Sequence, residues 1–287
     1  MYRDEILSIT RLAHYFGSAF SRNQVHCLLR IPAERPAFDA IVNSLIVDGH
    51  LAEKDGRLFY DDLAAETEKR RARSRAIFEN QRTKLSFIVK MPWVRFAAIT
   101  GANAFESCNG QADIDLFIVT AARRLWLCYL LLVITTKLLR VRPAFCINYL
   151  VDEDNQSIIH RNYFSAVQLS QMIPLTSNQL QNSLMERNRW IQNFLPNAPE
   201  HLREQDFYRL KSRPVSARRE RKRHFGRFLA LCNRGVFRLY RRRLAGKLPS
   251  LMGSSVYLTE GVAKLHPNDF HNIYEMIFAE MAEVEAS

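Results

Sequence analysis

The chain has 287 residues, 47% apolar and 24% charged, the balance of an ordinary globular protein with length for two or three domains. Its net charge is +12, yet fourteen Lys or Arg lie between Arg209 and Arg243 against one acid, Glu220, so the basic character belongs to one segment. The five cysteines are scattered with no CxxC pair, which argues against a disulfide framework and a cysteine metal site. Together with an N-terminus that lacks an apolar signal region, this gives the expectation of a cytoplasmic protein.

In chain order, Ile6, Ile9, Leu12, Ala13 and Phe16 recur at helical spacing and stop at Gly17. Gln24 to Leu29 reads as a short second helix, and Pro36 to Asp48 as a third, with Phe38, Ile41, Leu45 and Ile46 inward. Leu51 to Tyr60 is two strands around Asp55-Gly56, a strong hairpin signal. Three helices and a hairpin make residues 1–62 a winged-helix-like module. Its third helix carries Asp39, Asn43 and Asp48, with only Arg35 at its start. That is a weak footprint for a phosphate-lined groove, so protein contact is favoured over DNA binding.

Residues 63–91 read as a polar connecting helix, Ala64 to Phe87, with i,i+4 pairs Glu66–Arg70 and Arg75–Glu79 on a solvated surface. The segment 92–168 is the expected core. Val94 to Ile99 is a strand that runs into Thr100-Gly101-Ala102-Asn103-Ala104. A glycine there lets backbone N–H groups approach a phosphate. Asp113-Ile114-Asp115 then opens an apolar strand ending at Val119. Residues two apart on a strand share a face, so Asp113 and Asp115 stand side by side, able to hold one or two divalent cations.

Leu125 to Ile134 is apolar on all sides but too short to span a bilayer, and reads as a buried helix. Phe145 to Val151 is a further strand. Residues 169–287 read as a mainly helical region. Within it, the Arg-rich helix 218–243 places Phe225, Leu229, Cys232, Val236 and Leu239 on its inner stripe and arginines elsewhere. Such an arginine face suits a triphosphate, a nucleic-acid acceptor or an anionic lipid surface.

The Gly turn followed by Asp-x-Asp on a strand resembles the signature of the nucleotidyltransferase superfamily, the polymerase-beta-like fold. Arg124-Leu125-Trp126, Phe145-Cys146-Ile147-Asn148-Tyr149, Ser165-Ala166 through Ile173-Pro174-Leu175, and Asn188-Arg189-Trp190 with Phe194-Leu195-Pro196-Asn197 resemble an uncharacterised bacterial branch of it. These matches fall within residues 92–197. The resemblance implies an α+β fold. A central mixed sheet with flanking helices would stand between the winged-helix-like module and a C-terminal helical region. It also implies transfer of a nucleoside monophosphate from an NTP to a hydroxyl-bearing acceptor, with release of pyrophosphate. Asp113 and Asp115 would hold Mg²⁺ or Mn²⁺, and Gly101, Ala102 and Asn103 would line the nucleotide phosphates.

Two residues depart from the family pattern. Ala102 stands where a serine is usual, which removes a hydroxyl but keeps the backbone N–H. A third carboxylate is expected on a later strand, where this chain has Asn148, with Asp152 at the strand end as the other candidate base. A non-catalytic protein of the same fold that binds nucleotide or nucleic acid is therefore the alternative reading.

Overall fold

The computed structural model of the protein describes residues 2–60, 63–110, 113–138, 144–176, 179–202, 205–211, 223–245, 256–265 and 270–284. The N-terminal part runs α1 (Tyr2–Tyr15), β1 (Phe20–Ser21), α2 (Arg22–Leu28), α3 (Arg35–Val47), β2 (Ala52–Lys54) and β3 (Arg57–Phe59). Ser21 and Gln24 form a reciprocal capping box at the start of α2, and a proline occupies the first turn of α3. The hairpin turns at Asp55 and Gly56, both at positive φ (50° and 71°), as a turn matching the right-handed strand twist requires. The three short strands pair in the order β1-β3-β2.

A long helix, α4 (Ala64–Val89), leads to a six-stranded mixed sheet. Its strands are β4 (Val94–Thr100), β5 (Ile114–Thr120), β6 (Phe145–Asp152), β7 (Ile173–Pro174), β8 (Tyr257–Leu258) and β9 (Val262–Lys264), in the order β7-β4-β5-β6-β9-β8. The β5–β6 pair is parallel and the others are antiparallel. Helices α5 (Gly101–Ala104), α6 (Leu125–Leu138), α7 (Tyr163–Gln171), α8 (Gln179–Arg187), α9 (Arg223–Ala245) and α10 (His271–Val284) complete an α+β fold. The C-terminal part is thus not only helical, since β7, β8 and β9 all join the central sheet. Sequence periodicity misses them because strands of two or three residues carry no alternation.

Alternation along β4 and β5 gives the sheet two apolar faces. On one, Phe96, Ala98, Phe117 and Val119 pack in a single cluster with Ile6, Leu28 and Leu45 of the N-terminal part and with Ala166, Tyr274 and Ile277. On the other, Ala97, Ile99, Leu116 and Ile118 pack with Phe78, Leu85, Trp126, Leu132 and Phe237. Polar ties reinforce the first contact. Ser18 Oγ donates to the Phe105 carbonyl (2.7 Å), Tyr163 OH to that of Leu28 (2.8 Å), and Ala33 N to Asn197 Oδ1 (2.9 Å).

Helix α4 is more than a solvated connector. It buries Phe78, Leu85, Ile88 and Val89, and its arginines pair differently from the sequence expectation. Glu66 does meet Arg70 (3.1 Å), but Glu79 meets Arg82 (2.6 Å), while Arg75 turns to Glu106 (3.0 Å). Arg71 and Arg57 reach the same carboxylate at 3.1 and 2.8 Å, and Tyr208 OH lies 3.4 Å from it. Glu106 is only 5% exposed. A buried carboxylate attracts these guanidiniums more strongly than a solvated one at i,i+4 does.

Helix α6 also differs from expectation. Trp126, Cys128 and Leu132 are buried, but its last turns leave Ile134 and Leu138 exposed. Helix α9 is rotated relative to the expected stripe. Asn233 and Phe237 are buried and Leu239 is 66% exposed. Asn233 Oδ1 accepts from the backbone of Trp126 (2.9 Å) and Leu127 (3.3 Å) at the start of α6, which fixes that rotation. Residues 218–222 of the expected basic helix lie outside the described residues.

Burial pushes the Glu106 carboxyl up, but the Arg75 hydrogen bond and the charges of Arg57, Arg75 and Arg71 outweigh it and hold the group below its ordinary value. A depressed carboxylate contributes stability that is present above its unfolded pKa and lost as pH falls through its folded pKa. The melting temperature is therefore expected to drop as pH falls from about 5 to about 3, and to drop less in Glu106→Gln. At neutral pH, Glu106→Ala is expected to cost roughly 1–3 kcal/mol in urea unfolding, because the half-buried guanidiniums of Arg57, Arg71 and Arg75 lose their shared counter-charge and hydrogen bonds.

Candidate metal centre

Strand β4 ends at Thr100, which pairs with Asp115 on β5, and Asp115 pairs in turn with Cys146 on β6. Asp113 immediately precedes β5, two residues from Asp115 on the same face. The two aspartates are therefore brought together as the sequence implied. One ligand atom from each of Asp113, Asp115 and Cys146 lies within 4.8 Å of the other two, and all three residues are half-buried. This modifies the expectation from cysteine spacing. A thiol joins the cluster through strand register, with no CxxC motif.

Gly101 closes the edge of this site. Its φ is +61°, and a Cβ added there would lie 2.2 Å from Asp115 Oδ2. The glycine is needed twice, for the left-handed backbone and for the approach of the carboxylate. Its N–H donates to Gln168 Oε1 on α7 at 3.4 Å. The Gly turn is thereby tied to α7, a helix the sequence did not connect with the site.

Asn103 is fully buried, and its Nδ2 donates to the Asp113 carbonyl at 3.0 Å. Its role is to hold the entry to β5. Ala102 sits in the same turn, and its carbonyl accepts from Ser107 N at 2.9 Å. Cys108 lies in the surroundings of the pair. Burial raises its thiol pKa, and the Asp115 and Asp113 charges add to that, so the thiol stays protonated.

Asp152 lies elsewhere. It pairs with Thr120, six positions along β6 from Cys146, so at ~3.3 Å per residue it is roughly 20 Å from the aspartate pair. It is 2% exposed and accepts from Arg123 N (3.0 Å), Asp154 N (3.1 Å) and Asn155 Nδ2 (2.7 Å), the pattern of a turn-organising residue. At Asn148 the β5–β6 register shifts, and its side chain lies outside the described residues. Among the described residues, no third carboxylate joins Asp113 and Asp115. The position beside Asp115 on β6 belongs to Cys146.

No protein-family model, curated protein or solved structure matches the chain.

Two carboxylates and a thiol form a mixed hard and soft donor set. Carboxylate oxygens suit Mg²⁺ and Mn²⁺, whereas a thiolate favours softer cations such as Zn²⁺. Gly101→Ala is expected to displace the Asp115 carboxylate, so that a cation held by the aspartate pair would bind about tenfold more weakly, read for Mn²⁺ by the electron paramagnetic resonance of the free ion. Retained affinity would show that Asp115 does not need its present position to bind.

Proposed function

We propose that this chain is a divalent-cation-dependent nucleotidyltransferase whose centre is Asp113, Asp115 and Cys146. The convergence of these three side chains against the positive-φ turn at Gly101 carries the reading. Asp113 and Asp115 hold Mn²⁺ or Mg²⁺, which neutralises phosphate charge as pyrophosphate leaves. Gly101, having no side chain, lets the Asp115 carboxylate close on the turn, with Gln168 holding the turn in place. The acceptor is a hydroxyl-bearing molecule. The resemblance of residues 92–197 to the nucleotidyltransferase signature supports this chemistry.

Residues 2–60 run helix, strand, helix, helix, strand, strand, which supports a winged-helix-like reading. The third helix has Arg35 paired to Asp39 at 2.7 Å, which lowers its capacity for phosphate and favours a protein contact.

A second reading rests on Cys146. With a thiol and no third carboxylate beside Asp113 and Asp115 among the described residues, the fold would bind nucleotide or nucleic acid and transfer nothing. Pyrophosphate release from each of the four NTPs separates the two readings, assayed with Mn²⁺ or Mg²⁺ and cell extract as acceptor source. Release in the wild type that disappears in Asp113→Ala and Asp115→Ala, with folding intact by circular dichroism, is the expected result. Turnover unchanged in either variant would end the assignment. NTP binding without release would establish the second reading.

A further inference from the structure

The outward face of α9 is not used by the centre just described, and it combines two features that a solvated face lacks. Phe228, Leu231 and Leu239 are 59%, 66% and 66% exposed. On a helix at 100° per residue, Phe228, Leu231, Gly235, Leu239 and Arg242 share one side, opposite Asn233, Val236, Phe237 and Tyr240, which face α6 and the core. Beside the exposed apolar stripe stand Arg227, Arg234, Arg238 and Arg241, all exposed, with Arg243 on the other flank.

No Asp or Glu occurs anywhere in α9. Arg234 pairs with Glu260 at 3.1 Å across an exposed contact. Arg227, Arg238, Arg241, Arg242 and Arg243 make no ion pair among the described residues. Among the described residues, the charge is therefore both concentrated and largely uncompensated. Helix α9 spans 23 residues, about 35 Å at ~1.5 Å per residue, so its face is an elongated convex edge.

We propose that this face of α9 docks the protein, lying flat, on an anionic lipid bilayer surface. Phe228, Leu231 and Leu239 enter the boundary between headgroups and acyl chains, while the flanking arginines meet lipid phosphates with bidentate hydrogen bonds. Charge complementarity selects an anionic partner, and the apolar stripe selects lipid over nucleic acid. Leu231 and Leu239 offer nothing on which a base can stack, and a convex helix edge is not a groove that tracks a sugar-phosphate backbone. Surface docking also agrees with α9's hydropathy. Among the described residues, no helix is long and apolar enough to cross a membrane.

The test is co-sedimentation of the full chain with vesicles of phosphatidylcholine plus phosphatidylglycerol, and with phosphatidylcholine alone. The comparison includes Leu231→Ser/Leu239→Ser and Arg238→Gln/Arg242→Gln. All four positions are exposed, so both variants are expected to keep the wild-type circular dichroism and Mn²⁺ affinity. The expected result is binding to the anionic vesicles that weakens on the order of tenfold without the anionic lipid and in each variant, and that falls with added salt. Three results would overturn the proposal. They are no vesicle binding, vesicle binding unaffected by the loss of Leu231 and Leu239, or capture of single-stranded RNA by a chain that ignores anionic vesicles.

Discussion

The buried carboxylate of Glu106 joins more of this molecule than any other side chain described. It collects Arg57 from the N-terminal hairpin, Arg71 and Arg75 from α4, and Tyr208 from the C-terminal part. It lies two residues beyond the Gly101–Ala104 turn and adopts a positive φ of 52°, which a non-glycine residue holds only when its surroundings enforce it. A buried ion pair contributes little net stability when complete, yet breaking it is costly. Its effect here is to fix geometry. Three separate stretches of chain must be in place before the carboxylate is satisfied, and the turn that borders the aspartate pair is fixed with it.

That constraint bears on the chemistry of the centre. Like charges side by side on a strand repel, so Asp113 and Asp115 persist together only where neighbouring elements hold them. Asn103 fixes the backbone before β5, Gly101 permits the approach of Asp115, and Gln168 ties the turn to α7. The aspartate pair is thus pre-positioned by residues that do not themselves ligate. A thiol beside two carboxylates makes the cluster a mixed donor set, softer than carboxylates alone.

The sequence made the aspartate pair, the glycine turn and the main helices legible because each has a local signature. Alternation placed Asp113 and Asp115 on one face, and Asp55-Gly56 marked the hairpin. What it could not reveal depended on register and on long-range pairing. Cys146 enters the site because β6 runs parallel to β5 in one register, a fact with no local trace. Asp152 read as a candidate base because strand length alone does not say which end of β6 faces the pair. Arg75 looked like a partner for Glu79 because i,i+4 spacing is visible in sequence, whereas Glu106, distant in sequence, is not. The rotation of α9 followed a single polar residue, Asn233, which the apolar stripe overlooked.

The most direct test of the account is a crystal structure of the protein soaked with Mn²⁺ and a non-hydrolysable NTP, with anomalous data collected at the manganese edge. The account requires an anomalous peak bonded to Asp113 and Asp115, with Cys146 Sγ beside it and the phosphates over Gly101. Manganese bound elsewhere, or a nucleotide seated away from the Gly101 turn, would contradict it.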